Sequence, residues 1–226
     1  MKELLLLICL LSAPLVWAES PVWGVRVGSG LATGYGVPQQ APEYKVKIQR
    51  KLAYQAGFYL QHQVTENFAI QNELLYSRKG SRQDIEHLQQ PVQLDVLYDL
   101  AYLELPLLLQ LRLIELGKNS VWSVGGFSFS YLLDSQYDLS GRVEFGDDEL
   151  LLSESYELDM IDEFDFSLLY GLVWKFYLGG WKLNLEYRFA LGWQSISFPT
   201  YGAEAPVSLS NQSHQLILGW TWGSLQ

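Results

Sequence analysis

Between Trp181 and Gln194 the chain reads W-K-L-N-L-E-Y-R-F-A-L-G-W-Q, and its polarity changes at almost every step. Trp181, Leu183, Leu185, Tyr187, Phe189, Leu191 and Trp193 fall on one face; Lys182, Asn184, Glu186, Arg188, Ala190, Gly192 and Gln194 fall on the other. Period two is the period of a strand, because successive side chains leave opposite sides of the pleat. The run is about twice as long as an ordinary globular strand. Its apolar face carries no charge and has a Trp at each end. At roughly 3.3 Å per residue and a tilt of about 40°, the two Trp residues would stand about 30 Å apart along a barrel axis, the thickness of bilayer hydrocarbon. Aromatic residues at both interfaces complete the pattern of a transmembrane strand, one face on lipid and the other on a polar lumen.

Seven further segments repeat this alternation: Val22–Thr33, Leu52–Val64, Phe68–Ser77, Leu100–Leu113, Val121–Leu133, Phe164–Phe176 and Ser213–Gly223. Pro106, inside one of them, cannot donate to a ladder, so a bulge or a lost bond is expected there. The connections alternate in length. Thr65–Asn67, Glu115–Ser120 and Gly179-Gly180 are short, whereas Gly34–Lys51, Arg78–Asp99, Asp134–Glu163 and Ser197–Gln212 are long and read as external loops. Beyond the first residues no apolar run is long enough for a membrane helix, and in lipid only helices and closed barrels satisfy the whole backbone. The fold class predicted is all-β: an eight-stranded antiparallel up-and-down transmembrane β-barrel, with short turns in the periplasm and long loops outside.

The first residues read as a targeting segment. Lys2 precedes the apolar run Leu4–Leu11, and Val16-Trp17-Ala18 offers a cleavage site, so Met1–Ala18 is expected to be a signal peptide and Glu19–Gln226 the barrel. The single cysteine, Cys9, lies inside the apolar run, which leaves the mature chain without a thiol for disulfides or metal binding. Export and barrel together point to the outer membrane of a Gram-negative bacterium.

Alternation alone does not say which face is wet, and a secreted lipocalin-like barrel would put its apolar face inside. The charges favour lipid outside. Glu73, Glu104, Arg112, Asp165, Lys175, Lys182, Glu186 and Arg188 all share the polar parity, sit mid-strand and carry both signs, so they are expected to form a paired network in a narrow lumen. Trp174, Trp181, Trp193, Trp220 and Trp222 cluster toward segment ends, as an interfacial girdle requires.

Little in the chain points to chemistry. His62, His87 and His214 are scattered, and neither a G-x-S-x-G nor an H-E-x-x-H spacing occurs, so no catalytic residues, metal or cofactor are expected. The glycines at 28, 30, 34 and 36 precede no helix and read as room for larger side chains across a narrow barrel, not as a nucleotide loop. Arg78, Lys79 and Arg82 read as a basic rim that can meet solvent or lipopolysaccharide phosphates. Between Asp134 and Glu163 stand eleven acids and one base, Arg142, a balance of −10 that equals the formal charge of the whole chain. That segment reads first as a solvated loop, with the alternative of an extended hairpin. Asp147, Asp148 and Glu149 there are candidates for a weak cation or basic-partner site.

The runs E-L-L-Y-S-R-K-G at Glu73–Gly80 and Y-L-E-L-P-L-L-L at Tyr102–Leu109 resemble segments of the PorT-type outer-membrane β-barrel proteins of the Bacteroidota. So do Gly126–Leu133, Glu163–Gly171 and Glu186–Gly192. The resemblance implies a membrane barrel, and for the family's namesake a part in protein secretion and gliding. The expected function is therefore a monomeric structural or partner-binding barrel, in contact with outer-membrane lipid, lipopolysaccharide and a protein partner at its loops or turns. The alternatives are an accessory component of a secretion or gliding assembly, a narrow channel, or a rim-sited enzyme. No nucleic-acid partner is expected.

Overall fold

The computed structural model describes residues 21–35, 43–145, 148–157, 163–198 and 207–222. Nine strands account for almost all of them: β1 (Val22–Tyr35), β2 (Tyr44–Thr65), β3 (Phe68–His87), β4 (Val92–Leu116), β5 (Asn119–Phe145), β6 (Asp148–Glu157), β7 (Phe164–Leu178), β8 (Trp181–Phe198) and β9 (Val207–Trp222). Every pairing is antiparallel. Consecutive strands pair all along the chain except β6 and β7; β5 pairs β7 instead, and β9 returns to β1, which closes a ring of eight. Strand β6 stands outside that ring, paired to the far half of β5. The signal-peptide reading lies outside the described residues.

The short turns gather at one end. Gly179 and Gly180 both take positive φ, 57° and 88°, which suits a two-residue hairpin whose turn must match the twist of its strands. At Pro106 the ladder to β3 lapses, with no residues paired between Asn72–Leu107 and Leu75–Glu104, yet the register resumes unshifted. The expectation of a lost bond holds there, and the bulge does not form.

The four long loops are corrected. Tyr44–Lys51, Arg78–His87, Val92–Asp99 and Asp134–Phe145 continue the strands well past the expected ends, and Ile196–Phe198 pairs with Val207–Leu209. The acidic segment is a hairpin, in which Gln136–Phe145 pairs with Asp148–Glu157.

The polarity of the barrel inverts along its axis. In the half near the short turns the outer face is apolar: Val27, Phe58, Leu74, Leu109, Leu168 and Leu218 are all exposed. In the far half the inner face is apolar. Ile85, Val96, Tyr98, Leu100, Tyr102 and Leu139 are buried together, with Val46, Ile48 and Tyr137 packed against them. The outer face at that level carries Lys45, Lys47, Arg82, Asp84, Asp95, Asp99 and Asp138. Two bulges make the switch. In β2 the register shifts between Arg50 and Tyr54, and in β5 the step from Tyr102–Leu132 to Ala101–Asp134 skips Leu133. Each bulge reverses side-chain parity, since one extra residue in a period-two element exchanges its faces. Strands β3 and β4 keep their parity and change residue type instead.

This arrangement predicts a sided protein. Ser140 is exposed on the far half of β5 and Lys118 on a short turn. With Ser140→Cys and Lys118→Cys variants in intact cells, an impermeant thiol reagent should label the first and spare the second; the opposite pattern would reverse the orientation.

Candidate functional site

The polar lumen is the candidate site. An eight-stranded barrel is just wide enough for its side chains to fill it, so inward groups from opposite walls must meet. Four of them meet at the centre. Arg26 on β1 bonds Glu73 on β3 and reaches Glu186 on β8 at 2.6 Å. Arg188 closes the cluster with Nη1 and Nη2 on the two Glu73 oxygens at 2.8 and 2.9 Å, and Nε on Glu186 at 2.6 Å. All four are buried, and two cations face two anions, so the cluster is neutral. The forked guanidinium matches a carboxylate with two parallel bonds, which fixes its geometry as well as its charge.

A second tier lies toward the long-strand end. Lys79 bonds Glu104 at 2.9 Å and stands 3.7 Å from Asp165, with its ammonium over the Tyr102 ring at 4.5 Å. Ser77 donates to the same Glu104 oxygen at 2.7 Å. A third tier, toward the short turns, is built from amides. Lys175 donates to Gln61 and Gln110 at 2.9 and 2.7 Å, Gln110 donates to Gln71 at 2.8 Å, and Gln71 donates to Glu73. The amides thus form a chain of dipoles from the mouth to the central cluster. Small inner residues make these approaches possible. A Cβ on Gly24 would enter the Tyr59 ring, and one on Gly219 would strike the Asn184 amide.

Of the expected network, Glu73, Glu104, Asp165, Lys175, Glu186 and Arg188 line the lumen. Lys182 lines the mouth at the short-turn end. Arg112 is corrected: it sits at that rim, with Glu115 at 3.0 Å, Glu66 at 3.9 Å and the Asn67 side chain at 2.9 Å. The reason is position, since Arg112 has the right parity but lies too near the end of β4. Arg26 and Lys79 were missed. Arg26 shares the inward parity of Gly24 and Gly28, and this signal was legible. Lys79 was placed in the basic rim, which the structure dissolves: Lys79 points inward, Arg78 pairs with Asp99 at 3.0 Å, and Arg82 pairs with Asp95.

The aromatic belt is denser than expected at the short-turn end. Trp23 stacks on Trp222 at 4.9 Å, Trp222 on Trp220 at 5.3 Å, and Trp181 meets Trp220 edge-on at 4.3 Å. Trp174 lies on Phe176 at 4.7 Å. Among the described residues Trp193, 79% exposed, is the one tryptophan at the other boundary, where exposed Tyr54, Tyr76 and Tyr131 share its role. His62, His87 and His214 do not meet: His214 bonds Tyr187 at 2.8 Å, His62 lies near the β2–β3 turn, and His87 ends β3. In the acidic hairpin, Asp147 lies outside the described residues, while Asp148 and Glu149 open β6 opposite Phe145 and Glu144.

The outer membrane protein beta-barrel domain family matches residues 21–196. The chain belongs to this family. The protein accordingly resides in the outer membrane, where a lipid-facing apolar surface is required. No curated protein matches the chain. Among solved structures it is similar to the outer membrane protein OprG of Pseudomonas aeruginosa, at 12% identity over 92% of this chain and 98% of that one, TM-score 0.44. Ail, the attachment invasion locus protein of Yersinia pestis, aligns at 13% identity over 90% and 100%, TM-score 0.40. The outer membrane protease OmpT of Escherichia coli aligns at 10% identity over 91% and 98%, TM-score 0.43.

Breaking the central cluster is expected to destabilise the barrel far more than breaking a pair at the rim. Arg188→Leu leaves Glu73 and Glu186 short of a buried partner, which typically costs about 3–5 kcal/mol. Arg112→Gln removes only the rim pairs with Glu66 and Glu115, each worth about 1 kcal/mol or less. Urea unfolding of the refolded barrel in micelles should separate the two; equal midpoints would deny the cluster its role.

Proposed function

We propose that this protein is a closed, non-enzymatic, monomeric barrel that holds a strand-built wall above the outer membrane for a protein partner. The observation that carries the reading is the central cluster. Arg26, Glu73, Glu186 and Arg188 span the lumen from three strands and leave their charges compensated, so a passing ion would have to break buried, mutually bonded pairs. The extension of β2 to β6 beyond the apolar belt supports the second half of the reading, because its outer face is polar while its inner face is packed. A surface so supported is a rigid platform. Membrane lipid and lipopolysaccharide are the expected surroundings of the belt and the rim.

The resemblance to PorT-type proteins supports a second reading, in which the barrel is an accessory of a secretion or gliding assembly. Quantitative mass spectrometry of proteins crosslinked to and purified with the barrel from native membranes distinguishes the two: secretion or motility components recovered in stoichiometric yield favour the second. For the plug itself, planar bilayers containing the purified barrel should show no steady current. Stable, large single-channel openings would overturn it.

A further inference from the structure

We infer that the free edge of β6 takes an added strand from the partner protein, an extended segment that alternates basic and apolar residues. This rests on the platform reading above and deepens it: β6 is where the wall holds the partner, and backbone pairing with charge is how.

Strand β6 runs for ten residues beside β5, with no register shift from Gln136–Glu157 to Phe145–Asp148. Among the described residues no strand pairs with its other edge. Every second residue of such a strand turns its N–H and C=O to that edge, which makes it a template for another chain. Edges are commonly blunted by a proline, a bulge or brevity, and β6 has none of these. Its faces are uncovered as well. Tyr156 stacks on Tyr137 at 5.2 Å, and Tyr137 packs against the buried cluster of Val96, Tyr98 and Leu139. The apolar layer inside the wall thus runs outward to β6 and ends there in the open, with Leu150 and Tyr156 exposed. On the opposite face Leu151 is 71% exposed. A strand laid along β6 would cover these side chains and pair the backbone groups together, as strand addition does.

Charge decides the occupant. Asp148–Glu157 holds four acids and no base. The segment paired with it, Gln136–Phe145, adds Asp138 and Glu144 against Arg142. A second copy would bring the same acids to the same edge, and like charges directly opposite are destabilising. A basic strand meets them with the opposite sign. The acids that keep copies apart therefore select the partner.

The test is hydrogen exchange in the refolded full-length barrel in micelles, followed amide by amide by NMR. The probe is a peptide of about eight residues that alternates Lys and Val. Its controls are the alternating Glu and Val peptide and the Lys and Val peptide with every backbone amide N-methylated. With the probe at about ten times its Kd, the amides between Leu150 and Tyr156 that do not bond β5 should slow by about tenfold. Neither control should slow them, and Glu149→Gln combined with Glu154→Gln should weaken the probe several-fold. No slowing at any probe concentration would overturn the inference. So would equal slowing by the N-methylated peptide, which has the charge but cannot donate to a strand. Slowing without peptide as the barrel concentration rises would make a second copy the occupant and overturn it too. Crosslinking in native membranes separates this edge from the platform reading. Partners captured by the wild type and lost from the double variant support the edge; partners captured equally by both leave the platform standing and remove the edge from it.

Discussion

Four charged side chains without access to water hold the centre of this barrel. Arg26, Glu73, Glu186 and Arg188 come from three strands, and every bond among them except that of Arg188 to Glu186 forms only when those strands have been brought together in the ring. Removing such ions from water costs several kcal/mol each, on the order of what excellent geometry and further hydrogen bonds return. The cluster is therefore less a source of net stability than a condition for closure. An incomplete ring would strand charges in a low-dielectric interior, so the cluster penalises misregistered strands.

The rest of the lumen follows from the same constraint. Lipid outside demands apolar outward side chains, which leaves the polar residues to point in, and a ring of eight strands is too narrow for them to stay hydrated. They must satisfy one another. Lys79 does so with Glu104 and Asp165, and Gln61, Gln71 and Gln110 do so as a chain of amides. Where the lipid ends the demand reverses. Above Arg78 and Asp99 the outer face meets water and carries charge, while Val96, Tyr98, Leu100 and Leu139 fill the inside. The chain thus sets a strand extension of opposite polarity on the membrane barrel, with bulges in β2 and β5 exchanging the faces.

This inversion also explains which parts were legible beforehand. Trp181–Gln194 and its seven companions announced the membrane barrel because lipid enforces one rule on every outward residue. Lys45–Ile48 alternates just as cleanly, and Asp95–Leu100 does so apart from Leu97. They read as loops because charged residues there occupy the positions that in the membrane half would face lipid. The alternation was present; its meaning depended on the surroundings.

Sequence by itself determined the strand period, the apolar belt, the short turns and the concentration of acid between Asp134 and Glu163, because each is local and depends on neighbours along the chain. Tertiary structure alone decided which inward charges meet. Parity placed Glu73, Glu186 and Arg188 inside but could not pair them, since pairing depends on strand stagger around the ring. The same stagger carried Lys79 to Glu104 and left Arg112 at the rim with Glu66 and Glu115. A residue's face is written in its own strand, whereas its height and its partners are properties of the closed ring.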